Sequence, residues 1–470
     1  MTDYAKNVQE FYQRDDYAAL CGVQGDSAAE VIFKELTYLP RKTKPLPGMM
    51  AQTMLKDFVS LAAQPTALYI HIPFCNLRCS YCSFYRNPFE AEHVEQYVQA
   101  LLAELELLQQ QGIFAGQKIA AVFFGGGTPS VLNPAQISAL LAKIHSVASL
   151  AANCELTFES SIYDLSVDKL AACLAGGINR FSFGVQAFGT QLRRSLGRLN
   201  TEAEVCAKLE EVAATGARVI IDLIYGLNGQ TQEMLLADIK KALASGVSGM
   251  DLYKLQIMPK SPLGEAIAKG KVKYEYSDKS LAEMFFAADA LLAEQGARAL
   301  SCCHWAMRED ECSHYNTLVK SGANVIACGA SCGGHLGAYK YMKSMDRTDY
   351  IKKTQNGQYA VMGMGRLSEN YLLLDKLSGQ CDAGCLDFAS LRVYSDADWE
   401  SLLAPLVQHW EKLDLLYSMD KRYYFTAKGK FYYRQLDRLL LTAAEYALYG
   451  KPGLMEQAGQ KMMGMMKNMK

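Results

Sequence analysis

The chain has 470 residues, half of them hydrophobic, with 48 Lys and Arg against 49 Asp and Glu and a formal net charge of −1. That length buries a large core, and one barrel-sized domain with smaller additions is the natural expectation. The charge balance supplies no basic footprint for a polyanion, which excludes nucleic acid as the main partner.

The polar N-terminus, Met1-Thr-Asp-Tyr-Ala-Lys, lacks the apolar stretch and small-residue site of a secretory signal. Nor does any run of 18 uninterrupted apolar residues occur, so no membrane span is expected and the protein reads as cytoplasmic. In a reducing compartment the fourteen cysteines are core residues, metal ligands or redox groups rather than disulfides. Cys154, Cys173 and Cys206 lie in apolar surroundings and read as packing residues.

Residues 1–65 form an N-terminal extension ending at a Pro/Gly break. Strand patterns then recur at 67–72, 120–124, 155–159, 180–184, 218–225 and 250–255, with helical patterns between them at 92–110, 135–151, 166–175, 201–215 and 231–245. Asn133-Pro134 and Ser166 supply helix starts. Six βα units predict a parallel sheet, and a partial (β/α)6 barrel spanning 66–275, with its site at the C-terminal ends of the strands, fits best. An open doubly wound sheet is the other fold of this pattern. The alternation fades into a post-barrel segment, 276–360, and an α-rich region, 361–470. There a hairpin pattern after a helix, at 413–428, predicts a winged-helix-like module, and the Met-rich tail 461–470 closes the chain.

The chemistry concentrates after the first strand, in Cys75, Cys79 and Cys82. Three thiolates spaced C-x3-C-x2-C hold three corners of a cubane iron-sulfur cluster and leave one iron open to a ligand. Structural zinc instead takes four ligands in two separated pairs, and no second pair lies nearby. One βα unit later, Phe123-Phe-Gly-Gly-Gly-Thr-Pro129 puts glycines at a strand end, where backbone can approach a polar ligand. Glu159, Gln186, Arg198 and Asp222 follow at successive strand ends or the loops after them, offering carboxylates to hydroxyls or an ammonium and a guanidinium fork to a carboxylate.

This combination resembles the radical S-adenosylmethionine superfamily, in its branch related to oxygen-independent coproporphyrinogen III oxidase. The resemblance implies a 4Fe-4S cluster on Cys75, Cys79 and Cys82, with S-adenosylmethionine chelating the open iron. It places Tyr69 and Phe84 along the cofactor, and Gly125, Gly126, Gly127 and Thr128 at its methionyl end. The resemblance also implies cofactor contacts from Glu159, Gln186 and Arg198, and a ribose contact from Asp222. Where the family often continues the Glu159 motif with Asn-Pro, this chain has Ser-Ser.

Three activities compete within that branch. The oxidases usually carry a further cysteine where this chain has Phe84. The heme chaperones have His-Asn and then Tyr-Trp after the barrel, where this chain reads Ser313-His-Tyr-Asn. The residues from Phe84 to Phe89, the long extension, Cys303-His-Trp305 and Gly329-Ala-Ser-Cys-Gly-Gly334 look most like the anaerobic heme-degrading radical methyltransferases, the anaerobilin synthase family. That likeness implies heme or a related tetrapyrrole as substrate, opening of the macrocycle without oxygen, methyl transfer and iron release. It also implies a reductant or electron-donor protein, and a heme-trafficking partner. Candidate heme ligands are His304, His314 and His335, with Cys303, Cys312, Cys328 and Cys332 as sulfur alternatives. His71 reads as structural, and Cys381 and Cys385 as a weak metal or redox pair.

Overall fold

The computed structural model describes residues 3–14, 43–47, 50–60, 64–82 and 87–450. Phe84, most of the N-terminal extension and the Met-rich tail lie outside the described residues. The chain divides into two compact units, one of residues 45–319 and 323–366, the other of 1–44, 320–322 and 367–470.

In the larger unit all six expected strands are present: β1 (Thr66–Ile72), β2 (Lys118–Gly126), β3 (Ser149–Ser160), β4 (Arg180–Gln186), β5 (Arg218–Tyr225) and β6 (Gly249–Lys254). They pair in sequence order and all in parallel. Helices Ala91–Gln110, Pro134–Val147, Val167–Ala175, Glu202–Ala213, Gln232–Ala244 and Asp278–Glu294 follow them in turn. Their starts are chemically fixed: Asn133 and Gln136 form a capping box with Pro134 in the first turn, and Ser166 accepts from Lys169 N. The second of these helices stops at Val147, short of the expected 151, because Ser149 and Leu150 already pair with Lys118 and Ile119.

This is a partial barrel that stays open. Beyond β6, which carries Asp251, lie β7 (Arg298–Ala299) and β8 (His304–Ala306), with β8 antiparallel to β6. Beyond β1 lies a seventh parallel strand, β9 (Asn324–Cys328), followed by antiparallel β10 (Gly333–Leu336), β11 (Tyr339–Lys343) and β12 (Val361–Leu367). Among the described residues the sheet has thirteen strands, Thr43–Pro47 being the one at the edge beyond β12.

Alternation along the strands separates two faces. Leu68, Ile70 and Ile72 of β1 are fully buried on one side, as a helix-covered parallel sheet requires. The other side carries Tyr69, Phe123, Thr157, Arg180 and Arg218, aligned across five strands. Two same-face positions further toward the C-terminal ends, Gly184, Asp222, Asp251 and His304 are aligned. The inner face is therefore polar.

In the smaller unit, helices Tyr371–Asp382, Trp399–Lys412 and Tyr433–Tyr449 surround a core that includes Trp399, Trp410, Leu403 and Leu440. The expected hairpin is there: Leu416–Met419 pairs with Arg422–Phe425, and Cys385–Leu386 adds a third short strand. Asp420 and Lys421, the two turn residues, both have positive φ (51° and 61°), which suits the twist of a tight hairpin. Cys381 is buried and its thiol donates to Tyr433 O (3.5 Å).

Candidate active site

The cysteine loop leaves the C-terminal end of β1 and is held by backbone on two sides. Gly127 N donates to Ile72 O (2.8 Å) and Thr128 N to Phe74 O (2.8 Å), joining it to the glycine loop after β2. Ser80 N donates to Leu196 O (3.0 Å), joining it to the segment that ends in Arg198. Gly197, at φ 79°, lies so close that a Cβ would be 3.1 Å from Arg78 O. These contacts gather Cys75, Cys79, Cys82, Gly127, Thr128 and Arg198 around one cavity with an empty volume of about 600 Å3, open on one side to solvent.

A thiol has to lose its proton before it can ligate a metal. Burial opposes this at Cys75 and pushes its thiol up to about 11, while the Thr128 hydroxyl, which donates to it (3.5 Å), and the Arg198 charge act the other way. Burial also acts against the Arg198 guanidinium, but the Tyr81 phenol and Cys79 more than offset it and hold Arg198 firmly cationic. Arg198 Nη2 donates to Tyr81 Oη (2.9 Å), and Arg198 Nε is buried without a hydrogen-bond partner.

Gln186 is the second unsatisfied group. Its Oε1 is buried without a partner, and its backbone sits at φ 69°. The neighbouring Arg193 explains how that strained conformation is held: its Nη1 donates to Val185 O (2.7 Å) and Ala187 O (2.8 Å), on either side of Gln186. Gly184 makes room for the pair, since a Cβ there would meet Gln186 Nε2 at 2.8 Å and Arg198 Nη2 at 3.3 Å. Sequence reasoning missed Tyr81 and Arg193. The aromatic between two of the cysteines was a usable signal for the first; nothing local marks the second.

Glu159 lies beside the glycine loop and accepts from Gly126 N (3.2 Å). Burial pushes its carboxyl up to about 7 against the Gly126 hydrogen bond and the Arg180 charge. Asp222 is raised well above the usual carboxylate range by burial, then by Asp251 and Glu159, with Arg180 and His304 opposing. Tyr69 stands on the inner face, stacks on Phe123 (6.0 Å between centroids) and hydrogen-bonds His71 Nδ1 (3.0 Å). The His71 ring lies against Gly126, where a Cβ would come within 2.6 Å of it.

The three candidate heme ligands are not at the thiol cavity. His304 is buried with Nδ1 3.1 Å from Asp251 Oδ2 and Nε2 3.3 Å from Glu311 Oε1, so both ring nitrogens face carboxylates. Both nitrogens of His335 lie within hydrogen-bond distance of backbone carbonyls, Ala323 O (3.1 Å) and Gly337 O (2.9 Å). His314 and Cys312 line a separate cavity with Asn179 and Arg218, at the edge where β4 and β5 begin and opposite the cysteine loop. Among the described residues no three His, Cys, Asp or Glu side chains converge closely enough to hold a single metal ion.

A family model, the radical SAM superfamily, matches residues 69–242. The chain is 30% identical over 271 residues to the heme chaperone HemW of Bacillus subtilis (strain 168), covering 57% of this chain and 70% of that one. The chain belongs to the radical S-adenosylmethionine superfamily. It is also 29% identical over 387 residues to anaerobilin synthase from Escherichia coli O157:H7, covering 82% of this chain and 85% of the relative. Among solved structures it shares the fold of coproporphyrinogen III oxidase (HemN) from Escherichia coli, with a TM-score of 0.71 at 24% identity over 83% of this chain and 93% of the other.

Superfamily membership makes a 4Fe-4S cluster and S-adenosylmethionine the cofactors. The site fits both. Three thiols face one cavity, glycine 127 has no space for a side chain, and two buried polar atoms, Gln186 Oε1 and Arg198 Nε, await a partner. No helix among the described residues is long and apolar enough to cross a membrane.

Proposed function

We propose that the protein opens the heme macrocycle without oxygen, as a cytoplasmic radical S-adenosylmethionine methyltransferase of the anaerobilin synthase kind, releasing iron with a linear, methyl-bearing tetrapyrrole. The observation that carries this reading is the reach of the likeness: it spans 82% of the chain for anaerobilin synthase, against 57% for the Bacillus subtilis heme chaperone and 68% for that of Mycobacterium tuberculosis. The longer match takes in sequence beyond the 271 residues shared with the Bacillus subtilis chaperone.

In this reading Cys75, Cys79 and Cys82 hold the cluster as thiolates. Gly125, Gly126, Gly127 and Thr128 present backbone to the methionyl end, and Arg198 and Gln186 satisfy their buried Nε and Oε1 on the cofactor. Glu159 accepts from the ammonium, and Asp222 accepts from the ribose hydroxyls. When bound, the cluster and S-adenosylmethionine supply one-electron cleavage of a sulfonium bond, which gives a carbon radical reactive enough to attack an aromatic macrocycle. The protein's contribution is to orient that bond, keep water from it and receive an electron from a reductant or electron-donor protein.

The second reading is a heme carrier, favoured by the 30% identity to the chaperone across the barrel. Anaerobic incubation of cluster-reconstituted protein with heme, dithionite and S-adenosylmethionine separates the two. Loss of the heme absorbance with a methyl-bearing linear tetrapyrrole in the mass spectrum is expected. Unchanged heme with no 5'-deoxyadenosine overturns the enzyme reading. Coproporphyrinogen III run in parallel tests the oxidase.

A further inference from the structure

Asp222 and Asp251 are direct neighbours across β5 and β6, and His304 on β8 is the neighbour of Asp251 on its other side. All three lie on the inner face, and like charges placed opposite one another repel. Two carboxylates in one site do not both stay ionised unless a cation holds one of them.

We infer that His304 is a positioning residue for the cofactor: it holds the Asp251 carboxylate and so eases ionisation of Asp222 where it faces the ribose. This rests on Asp222 being the ribose contact, as proposed above.

The chain of partners runs away from the cofactor. His304 Nδ1 is 3.1 Å from Asp251, and its Nε2 is 3.3 Å from Glu311. Glu311 is gripped in turn by Arg180 through Nε (3.1 Å) and Nη2 (3.0 Å), and it accepts from Ser313 N (2.9 Å). Arg180 also lies 3.8 Å from Glu155, which Arg218 engages at 3.2 Å. Arg180, Glu155, Glu311 and His304 are all buried, so solvent does not screen this series and each charge depends on its neighbour. The charged and titratable groups that face the aspartate pair are Glu159, Arg180 and His304 around Asp222, and His304, Arg180 and Tyr253 around Asp251, with Cys303 beside Tyr253. Without His304, the cation left to act on Asp251 is Arg180, which Glu311 already grips and which lies 3.8 Å from Glu155. One carboxyl of the pair then keeps a proton, and a protonated Asp222 has lost part of its capacity to accept from two hydroxyls.

The test is S-adenosylmethionine binding to anaerobically reconstituted protein, read by equilibrium dialysis with labelled cofactor over a range of pH. His304→Asn is expected to weaken binding about tenfold near neutrality, equivalent to one pKa unit, and to recover as pH rises and the retained proton leaves. Asp251→Asn alone is expected to bind as the unaltered protein does, and adding it to His304→Asn to restore binding. The inference is overturned if His304→Asn binds normally at every pH, or if the double variant is as weak as the single one. Should His304→Asn fail to fold, Asp251→Asn decides: weakening as large as that of Asp222→Asn makes Asp251 a ligand and overturns the inference, while unchanged binding supports it. Asp222→Asn serves as the control. If it binds normally, the ribose assignment fails; if it is weak while His304→Asn is not, only this inference falls.

Discussion

Gly127 lies against the backbone of Phe74, so closely that a Cβ on it would sit 2.5 Å from Phe74 O and 2.9 Å from Phe74 N. Phe74 immediately precedes Cys75, the first of the three proposed cluster ligands, and receives the Thr128 amide (2.8 Å). The glycine loop and the cysteine loop are thus one backbone assembly.

Gly127→Ala must push that backbone apart, since no flexible side chain is available to yield. Overpacking of this kind costs about 1–3 kcal/mol, concentrated where the first thiol is aimed. The expected result is a folded protein with reduced iron and sulfide after reconstitution and weaker S-adenosylmethionine binding. Iron content and far-ultraviolet circular dichroism check it; normal iron content refutes the coupling of the loops.

Cys79→Ala is expected to abolish the brown absorbance of reconstituted protein while leaving the barrel folded, because Cys79 is half-buried in a loop held by backbone hydrogen bonds rather than by its thiol. Cys173→Ala, which removes a fully buried packing thiol, should do the reverse, keeping the cluster and lowering stability. Full iron and sulfide in Cys79→Ala would refute the ligand assignment.

Much of this was legible in the sequence because periodicity and caps act locally. The six parallel strands, the Asn133 cap and the hairpin at 416–425 each rest on a few adjacent residues. The convergence of Arg198 on the cysteines was legible only through resemblance, since it depends on a contact between Ser80 and Leu196. The ionic series on the inner face was not legible at all. Glu155, Arg180, His304 and Glu311 come from three strands and one loop, and no spacing in the chain links them. His304, read as a candidate iron ligand, has both ring nitrogens turned to carboxylates, a fact that only tertiary packing decides.

Glu104 offers a test of how the post-barrel turn is anchored. It forms a fully buried ion pair with Lys343, and it accepts from Gly329 N (2.9 Å) and Tyr350 Oη (2.6 Å). Glu104→Ala strands the Lys343 charge and costs about 3–5 kcal/mol, whereas replacing both partners by apolar residues of similar volume should cost far less. Urea unfolding of the three proteins checks the order; equal losses for the single and double changes would sink the argument.

The inner-face series also sets a pH window for stability. The adjacent His304 imidazole and Arg180 outweigh burial at Glu311 and bring its carboxyl down to about 2. Asp251 and Glu311 outweigh burial at His304 and raise its imidazole to about 9. A depressed carboxyl contributes stability above its ordinary value of 4.5 and loses it as pH falls toward 2. A raised imidazole contributes fully below its ordinary value of 6.5 and loses that contribution as pH climbs through 9. Between those limits the pair is fully formed, and each side of the window should fall by a few kcal/mol. Denaturant unfolding of cluster-free protein across pH is therefore expected to show a maximum between about 4.5 and 6.5, and His304→Asn should flatten the alkaline side while leaving an acid limb. An alkaline limb unchanged in that variant would mean that the charge lost above neutrality belongs to another group.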